Sequence, residues 1–600
     1  MKIALPSEAI ILCGAGASVA EPANLASVAK FLNELEAQCL DGTHIEQALV
    51  HQALHGNSTN APPRFEEIIA CLLEFDSTLD CLEYLKVDIG GTEHAPNALH
   101  EYMARHIRHG GTVVTTNFDA LIEIAYLTQY GEDVDSAPGS LWKVHGSIQK
   151  IESGQLIDQD NRTLKADIFS VAAGTPISGE GGALSNLSAL LDGTRLLVFG
   201  YSFSDTFDVT PALLRSRPNE AAVIEFSPTP LATVSGLQGL PGFDEVARAW
   251  RQKGTKLQFY KGDPYILATD HPPSAKARKP KPLLPSYTIE QRTYLIARLL
   301  VGQDAFNKAN RIFSQLASGA ADANIRSRAT MFHVRTLPDW DEILAYESTL
   351  ENLEAVEDVG FPATIILLNG YSFVGPGSSF LRSFARFKRL ASSKDISEQT
   401  RVLNFGKAYH CFANYLMNRG RPKAALRFAE ASLLNRTKYG EPRDIHFAEY
   451  ACCLSLALAG NEVELRKRLV NLRLYAKGLS DQAAQICVSI AEGLYFIVRR
   501  EWSKALKRFL LARELYITEG QNEQVDPELE LYILETRLRI EGWSGTSIDE
   551  LEAVGNYVDK HGYNYFRPIV SQLRLAAAGQ AISTSMDRLT RAHLERAGLL

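Results

Sequence analysis

The stretch Ala9-Ile-Ile-Leu-Cys-Gly-Ala-Gly-Ala-Ser18 decides how the first half of this chain is read. A short apolar run ending in a Gly-Ala-Gly-Ala-Ser turn predicts a buried parallel strand that feeds a glycine-rich loop and then a helix. That junction suits a phosphate. Gly14 and Gly16 are expected to adopt backbone angles closed to other residues and to let the main chain approach an anion. The N–H groups at the start of the next helix are expected to point at that anion. Glycine turns after strands are common, so the reading gains weight only from three later segments: Thr115-Thr-Asn-Phe-Asp119, Lys143-Val-His-Gly146 and Phe199-Gly-Tyr-Ser-Phe-Ser-Asp205.

Residues 1–270 alternate apolar runs with helical patterns, which predicts an α/β Rossmann-like parallel sheet covered by helices on both faces. The expected strands are Ala9–Cys13, Thr112–Thr116, Leu141–Val144, Leu196–Phe199, Ala222–Phe226 and Lys256–Tyr260. Between the first two, Phe65, Ile68, Ile69, Leu72, Leu73, Leu79, Leu82 and Leu85 recur near helical spacing and predict a small helical subdomain over the cleft. Residues 174–185 form a glycine-rich loop. His271–Pro282 is rich in proline and cations and reads as an extended, solvated linker, placed at 271–286.

From 287 to 600 strand signals fade and amphipathic helices dominate, which predicts an all-α helical-repeat domain. Turns near Gly420, Gly460 and Arg500 stand forty residues apart, a helical-hairpin period. Gly302–Phe313 reads as an earlier, diverged copy, and Ala424, Ala425 and Ala505 mark close helix approach. This half resembles tetratricopeptide-type solenoids with a longer period than the standard unit.

Six hundred residues exceed what one core usually serves. A hydrophobic fraction of 46% with 22% charged residues is that of an ordinary soluble globular protein. The net charge of −8 gives no global basic field to gather nucleic acid, which leaves a local patch as the only electrostatic route. No apolar run is long enough to span a bilayer, and Met1-Lys-Ile-Ala-Leu-Pro6 lacks the layout of a signal peptide. The eight cysteines are scattered and form no Cys-x-x-Cys pair, which argues against a zinc ribbon and for a reducing, cytoplasmic setting. Cys13 is expected to be buried in the first strand and inert.

Taken together, Gly14-Ala-Gly-Ala-Ser18, Thr116-Asn-Phe-Asp119, His145-Gly146 and Gly200-Tyr-Ser202 resemble the sirtuin family of NAD-consuming enzymes in order and spacing. The resemblance runs from Ala9 to Leu267. It implies that Gly14, Ala15, Gly16 and Ser18 wrap the NAD pyrophosphate. Thr116, Asn117 and Asp119 would then lie near the nicotinamide ribose, with His145 as catalytic base. Gly200 and Ser202 would contact the phosphates or the adenine ribose. Val223–Pro228 resembles the strand that presents an asparagine to that ribose, with Ser227 in its place here. Gly262-Asp263 resembles the turn that closes over adenine. The chemistry fits those types: a histidine of ordinary pKa near 6.5 can serve as base, and a carboxamide can orient water or a ribose hydroxyl without adding charge.

Plainer roles stand beside these. Asn117 and Asp119 can cap the helix beginning near Ala120, His145 can be a satisfied core residue, and Ser202 and Asp205 can be turn and cap residues. The chain also departs from the sirtuin deacylases. It lacks their four-cysteine zinc module, and Val19-Ala-Glu-Pro-Ala-Asn24 lacks their arginine-bearing tail. Those departures suit the sirtuin-like NAD hydrolases of bacterial antiphage systems, whose acceptor is water. The resemblance then implies an NAD glycohydrolase without zinc, releasing nicotinamide and ADP-ribose. Its helical half would control it through self-assembly or through a partner such as a phage protein or a DNA-translocase ATPase, away from membranes. A non-catalytic NAD or ADP-ribose sensor is the principal rival, and an NAD-dependent deacylase or ADP-ribosyltransferase a weaker one.

Overall fold

The computed structural model describes residues 9–18, 23, 25, 28–56, 63, 65–75, 84, 94–144, 149–152, 155–158, 183–203, 209–237, 240, 242–268, 284–303, 305–337, 339–353, 356, 359–393, 396–439, 442–479, 482–518 and 526–600. The expected linker 271–282, most of the loop 174–185, and Leu79, Leu82, Leu85, His145, Gly146 and Asp205 lie outside the described residues.

The strands are β1 (Ile10–Cys13), β2 (Thr112–Thr115), β3 (Ser140–Lys143), β4 (Gln149–Glu152), β5 (Gln155–Asp158), β6 (Arg195–Phe199), β7 (Glu220–Phe226), β8 (Ala232–Val234) and β9 (Lys256–Gly262). Seven of them form one sheet in the order β3-β2-β1-β6-β7-β9-β8. Every pairing in it is parallel except the antiparallel edge contact of β8 with β9. Counting only the parallel strands in chain order, the arrangement is 3-2-1-4-5-6, the doubly wound order whose ligand crevice lies where the order reverses. Here that point is the seam between β1 and β6. The six strands read from the sequence all occur. Edge strand β8 and the separate antiparallel pair of β4 and β5 were not anticipated.

The strands are apolar on both faces because both faces are covered. Ile10, Leu12, Leu196, Val198, Ala221 and Val223 pack beneath Leu187, Leu213, Phe243, Val246 and Trp250. Their neighbours Ile11, Cys13, Leu197, Phe199, Ala222 and Ile224 pack on the other side against Leu99, Met103, Ile107, Ile122 and Tyr126. One residue of register slip would exchange the two sets.

The chain divides into two compact units, 1–43 with 64–288, and 44–63 with 289–600. The sequence reading gave the segment 44–63 to the first half. Its helix Gln47–His55 instead packs on the helix Ile289–Gly302. The side-chain amide of Gln303 donates to the carbonyls of Gln52 and Ala53 at 2.9 and 3.1 Å, and Lys308 Nζ donates to Gln52 Oε1 at 2.8 Å. The apolar stripe Val50, Ala53, Leu54 marks a buried face but cannot say which distant element covers it.

The second unit is helical throughout its described residues. Its middle repeats helical hairpins: Glu398–Met417 with Pro422–Tyr439, Pro442–Leu458 with Glu462–Leu479, and Gln482–Val498 with Trp502–Thr518. Each turn uses the same Schellman motif, with its capping residue left-handed. Gly420, Gly460 and Arg500 have φ of +63°, +71° and +60°. The next residue's N–H closes back on Leu416, Leu456 and Phe496 carbonyls at 3.0, 3.0 and 2.8 Å. Ala305 N–H repeats that bond to Leu300 O at 2.9 Å in the earlier copy. Among the described residues, no helix is long and apolar enough to cross a membrane.

Candidate functional site

At the switch point two backbones cross almost in contact. A Cβ on Gly14 would lie 2.6 Å from Gly200 O, one on Gly16 2.7 Å from Gly200 Cα, and one on Gly200 2.6 Å from Ala17 N. This corrects the expected reason for the first two glycines. Gly14 is extended, with φ of −126°, and only Gly200, at φ +65°, is left-handed. Gly14 and Gly16 lack side chains because β6's loop occupies that space.

The loop's hydrogen bonding corrects a second expectation. Ala15–Ala17 is one 3₁₀ turn, and among the described residues the next helix is Val28–Leu40, so the described part of the loop carries no helix N-terminus. Gly16 N–H donates to Gly200 O at 3.0 Å, Ala17 N–H to Gly14 O at 2.9 Å and Ser18 N–H to Ala15 O at 3.0 Å. Ala15 is exposed, and its N–H has no partner among the described residues. The loop therefore offers one free donor rather than a fan of them.

Ser18 is the centre of a buried polar cluster. Its hydroxyl donates to Asp119 Oδ2 at 2.8 Å and accepts from Asn117 Nδ2 at 2.9 Å. A third contact, 3.0 Å, reaches His100 Nε2. His100 Nδ1 accepts the Asn97 N–H at 3.0 Å, so the neutral ring carries its proton on Nε2 and donates it to Ser18. Burial pulls the His100 pKa down to about 4, with Asp119 opposing and Lys143 assisting. The imidazole is therefore an uncharged strut at neutral pH.

Asn97 and His100 belong to the first turn of the helix Ala98–Arg108, where they form a reciprocal capping box. The Asn97 amide also donates to Ala17 O and to Tyr265 Oη, both at 2.8 Å, and Tyr265 donates to Ala17 O at 3.3 Å. Three separate segments thus clamp the first loop. Sequence reading missed Asn97 and His100. The available signal was Pro96-Asn97-x-x-His100, a helix start whose third residue is not the usual Glu or Gln.

Asp119 has both oxygens engaged, since Oδ1 accepts the Leu121 N–H at 3.1 Å. It caps the following helix and holds Ser18 together. Asn117 does not cap. Its N–H goes to Thr115 Oγ1 at 3.1 Å, its amide nitrogen to Ser18, and its Oδ1 is buried with no partner among the described residues. Thr116 N–H donates to Cys13 O at 3.1 Å, binding the end of β2 to β1. Lys143 at the end of β3 donates to Asp119 O and pairs with Glu123 at 2.8 Å. Burial raises the Glu123 pKa, and Lys143 opposes that rise. Cys13 is fully buried, and burial pushes its thiol up to about 12.

The remaining expected residues also follow carboxyl ends of parallel strands. Ser202 is exposed after β6. Ser227, after β7, shares a hydroxyl contact with Thr229 at 3.0 Å and donates its N–H to Gly262 O at 3.0 Å. Asp263, after β9, accepts the Tyr265 N–H at 2.9 Å and so shapes the turn that carries Tyr265. Phe65, from the helical subdomain, sits 5.9 Å from the Phe118 ring. Ser18, Asn117 and Asp119 are brought together.

A family model described as a SIR2-like domain matches residues 111–220. That span holds the Thr116–Asp119 segment, β6 and Gly200–Ser202. Comparison with curated proteins gave no match. The first unit is thus sirtuin-like over that span, in a doubly wound sheet suited to a dinucleotide such as NAD.

Proposed function

We propose that the first unit is an NAD glycohydrolase. The observation that carries this reading is the Asn117 carboxamide. Its nitrogen is pinned by Ser18, and its buried oxygen is left as an unused acceptor beside the glycine crossing. A buried acceptor without a partner costs about 1–3 kcal/mol, and a ribose hydroxyl or an attacking water would satisfy it. In the reaction the bond between ribose C1′ and the cationic nicotinamide nitrogen breaks, and its electron pair leaves with nicotinamide. Water adds to C1′, and its proton passes to a base, the role proposed for His145. The exposed Ala15 N–H supports pyrophosphate contact at the first loop.

The wider reading is that of an NAD-depleting effector in antiphage defence, governed by its helical unit through self-assembly or a docked partner. Nicotinamide release by the full chain tests it. Asn117→Ala and His145→Ala should each lower turnover about 100-fold or more, the usual loss for a positioned polar or acid–base group, while circular dichroism stays unchanged. Equal turnover by all three proteins would refute the assignment. Stoichiometric NAD binding without nicotinamide release would identify a sensor instead.

A further inference from the structure

The acidic chain hides a strongly basic segment. Residues 377–440 hold thirteen Lys and Arg against three Asp and Glu, a net charge of +10 within a chain of −8. The segment folds as three successive helices, Gly377–Ala391, Glu398–Met417 and Pro422–Tyr439. We propose that these helices form a binding surface for single-stranded nucleic acid.

Nine of the thirteen cations fall into two sets. Arg386, Lys438, Lys407 and Arg436 are already paired, with Glu351, Glu398 and, for the last two, Asp444; the Lys438–Glu398 pair lies at the surface. Lys388, Arg389, Arg421, Lys423 and Arg427 are exposed and have no carboxylate partner among the described residues. They fall on outward stripes. The first helix exposes Leu381, Arg382, Ala385, Lys388 and Arg389; the third exposes Lys423, Arg427, Glu430, Leu434 and Lys438. That spacing is one helical face.

Aromatic rings bridge the same three helices. Lys388 Nζ lies 5.6 Å from the Phe384 ring centre. Phe384 meets Phe412 at 5.0 Å, and Phe412 stacks on Phe428 at 4.3 Å with 13° between planes. Phe384, Phe412 and Phe428 are each only half-buried. Unpaired cations together with rings that keep open surface are what a single strand uses, phosphates on the first and base faces on the second. An acidic protein would answer the charge alone, and a membrane would ask for more apolar surface than two separated leucines.

Fluorescence anisotropy of the full chain with labelled oligo-dT and oligo-U of about 20 nucleotides tests this. Binding is expected at low salt. Its logarithm should fall with the logarithm of salt at a slope of about −3.5, from five neutralised phosphates on a single strand. Lys423→Glu with Arg427→Glu should weaken binding at least about tenfold and flatten that slope. Lys256→Glu with Arg591→Glu, at exposed cations elsewhere, should leave it unchanged. Tighter binding of oligo-dT assigns DNA and of oligo-U assigns RNA; either supports the surface. Absence of binding, an unaffected reversal variant, preference for duplex, or equal binding of polyglutamate or phosphatidylserine vesicles would each overturn it.

Discussion

Ser18→Ala is the sharpest probe of the site, because one hydroxyl serves three buried neighbours. Removing it leaves the His100 Nε2–H, the Asn117 amide N–H and Asp119 Oδ2 facing one another without a partner. An orphaned buried polar group costs about 1–3 kcal/mol, so even the low end for three groups comes to about 3 kcal/mol. Ser18 and Asp119 are 1% and 4% exposed, which leaves bulk water little access to repair the loss. Ser18 lies in the loop that continues β1 and touches residues that follow β2, so the loss should appear as easier opening of those strands. Hydrogen exchange read by mass spectrometry on peptides covering β1 and β2 is the assay. A loss of about 3 kcal/mol makes exchange through opening faster by about two orders of magnitude. Peptides from the helices Glu462–Leu479 and Gln482–Val498 should not change. Exchange within about threefold of the parent at both strands would show that the hydroxyl does not hold the cluster.

Two further outcomes follow from named groups. Arg500 occupies the left-handed turn position that glycine fills at 420 and 460, so Arg500→Gly should stabilise its hairpin by about 1 kcal/mol. Calorimetry should then show the helical unit's transition about 2 °C higher, and an unchanged or lower transition contradicts the strain. His100 has a folded pKa of about 4, below its unfolded value. Its burial therefore contributes full stability above about pH 6.5. As pH falls from there toward 4 the unfolded state takes up a proton that the folded state refuses, and stability drops by up to about 3 kcal/mol. His100→Gln should lose much of that acid sensitivity in urea titrations between pH 7 and about 4.5, and an identical pH profile in both proteins would show that His100 is not its source.

Much of the fold was legible because both cores write themselves into the chain. Strands buried on two faces read as continuous apolar runs, and the left-handed turns at 420, 460 and 500 recur at a fixed spacing. β8 was invisible because its three residues, two exposed and one half-buried, carry no such run. Ser18, Asn117 and Asp119 were marked by the motifs in which they sit. His100 was not, because its link to Ser18 spans 82 residues and exists only after folding. The glycines show the limit most plainly. Their positions were evident, but the reason for them is the backbone of Gly200, a partner that no local pattern names.

That crossing also sets when the site can come into being. β1 lies between β2 and β6, whose residues emerge from the ribosome roughly one hundred and two hundred positions later. Gly14 and Gly16 find their counterpart only once Gly200 has been synthesised, and Tyr265 later still. Nascent chains ending before that point possess the first loop without the wall that shapes it. If the unit does consume NAD, the hazard of a half-made toxin is removed by topology: translation itself withholds the weapon until most of its sheet is in hand.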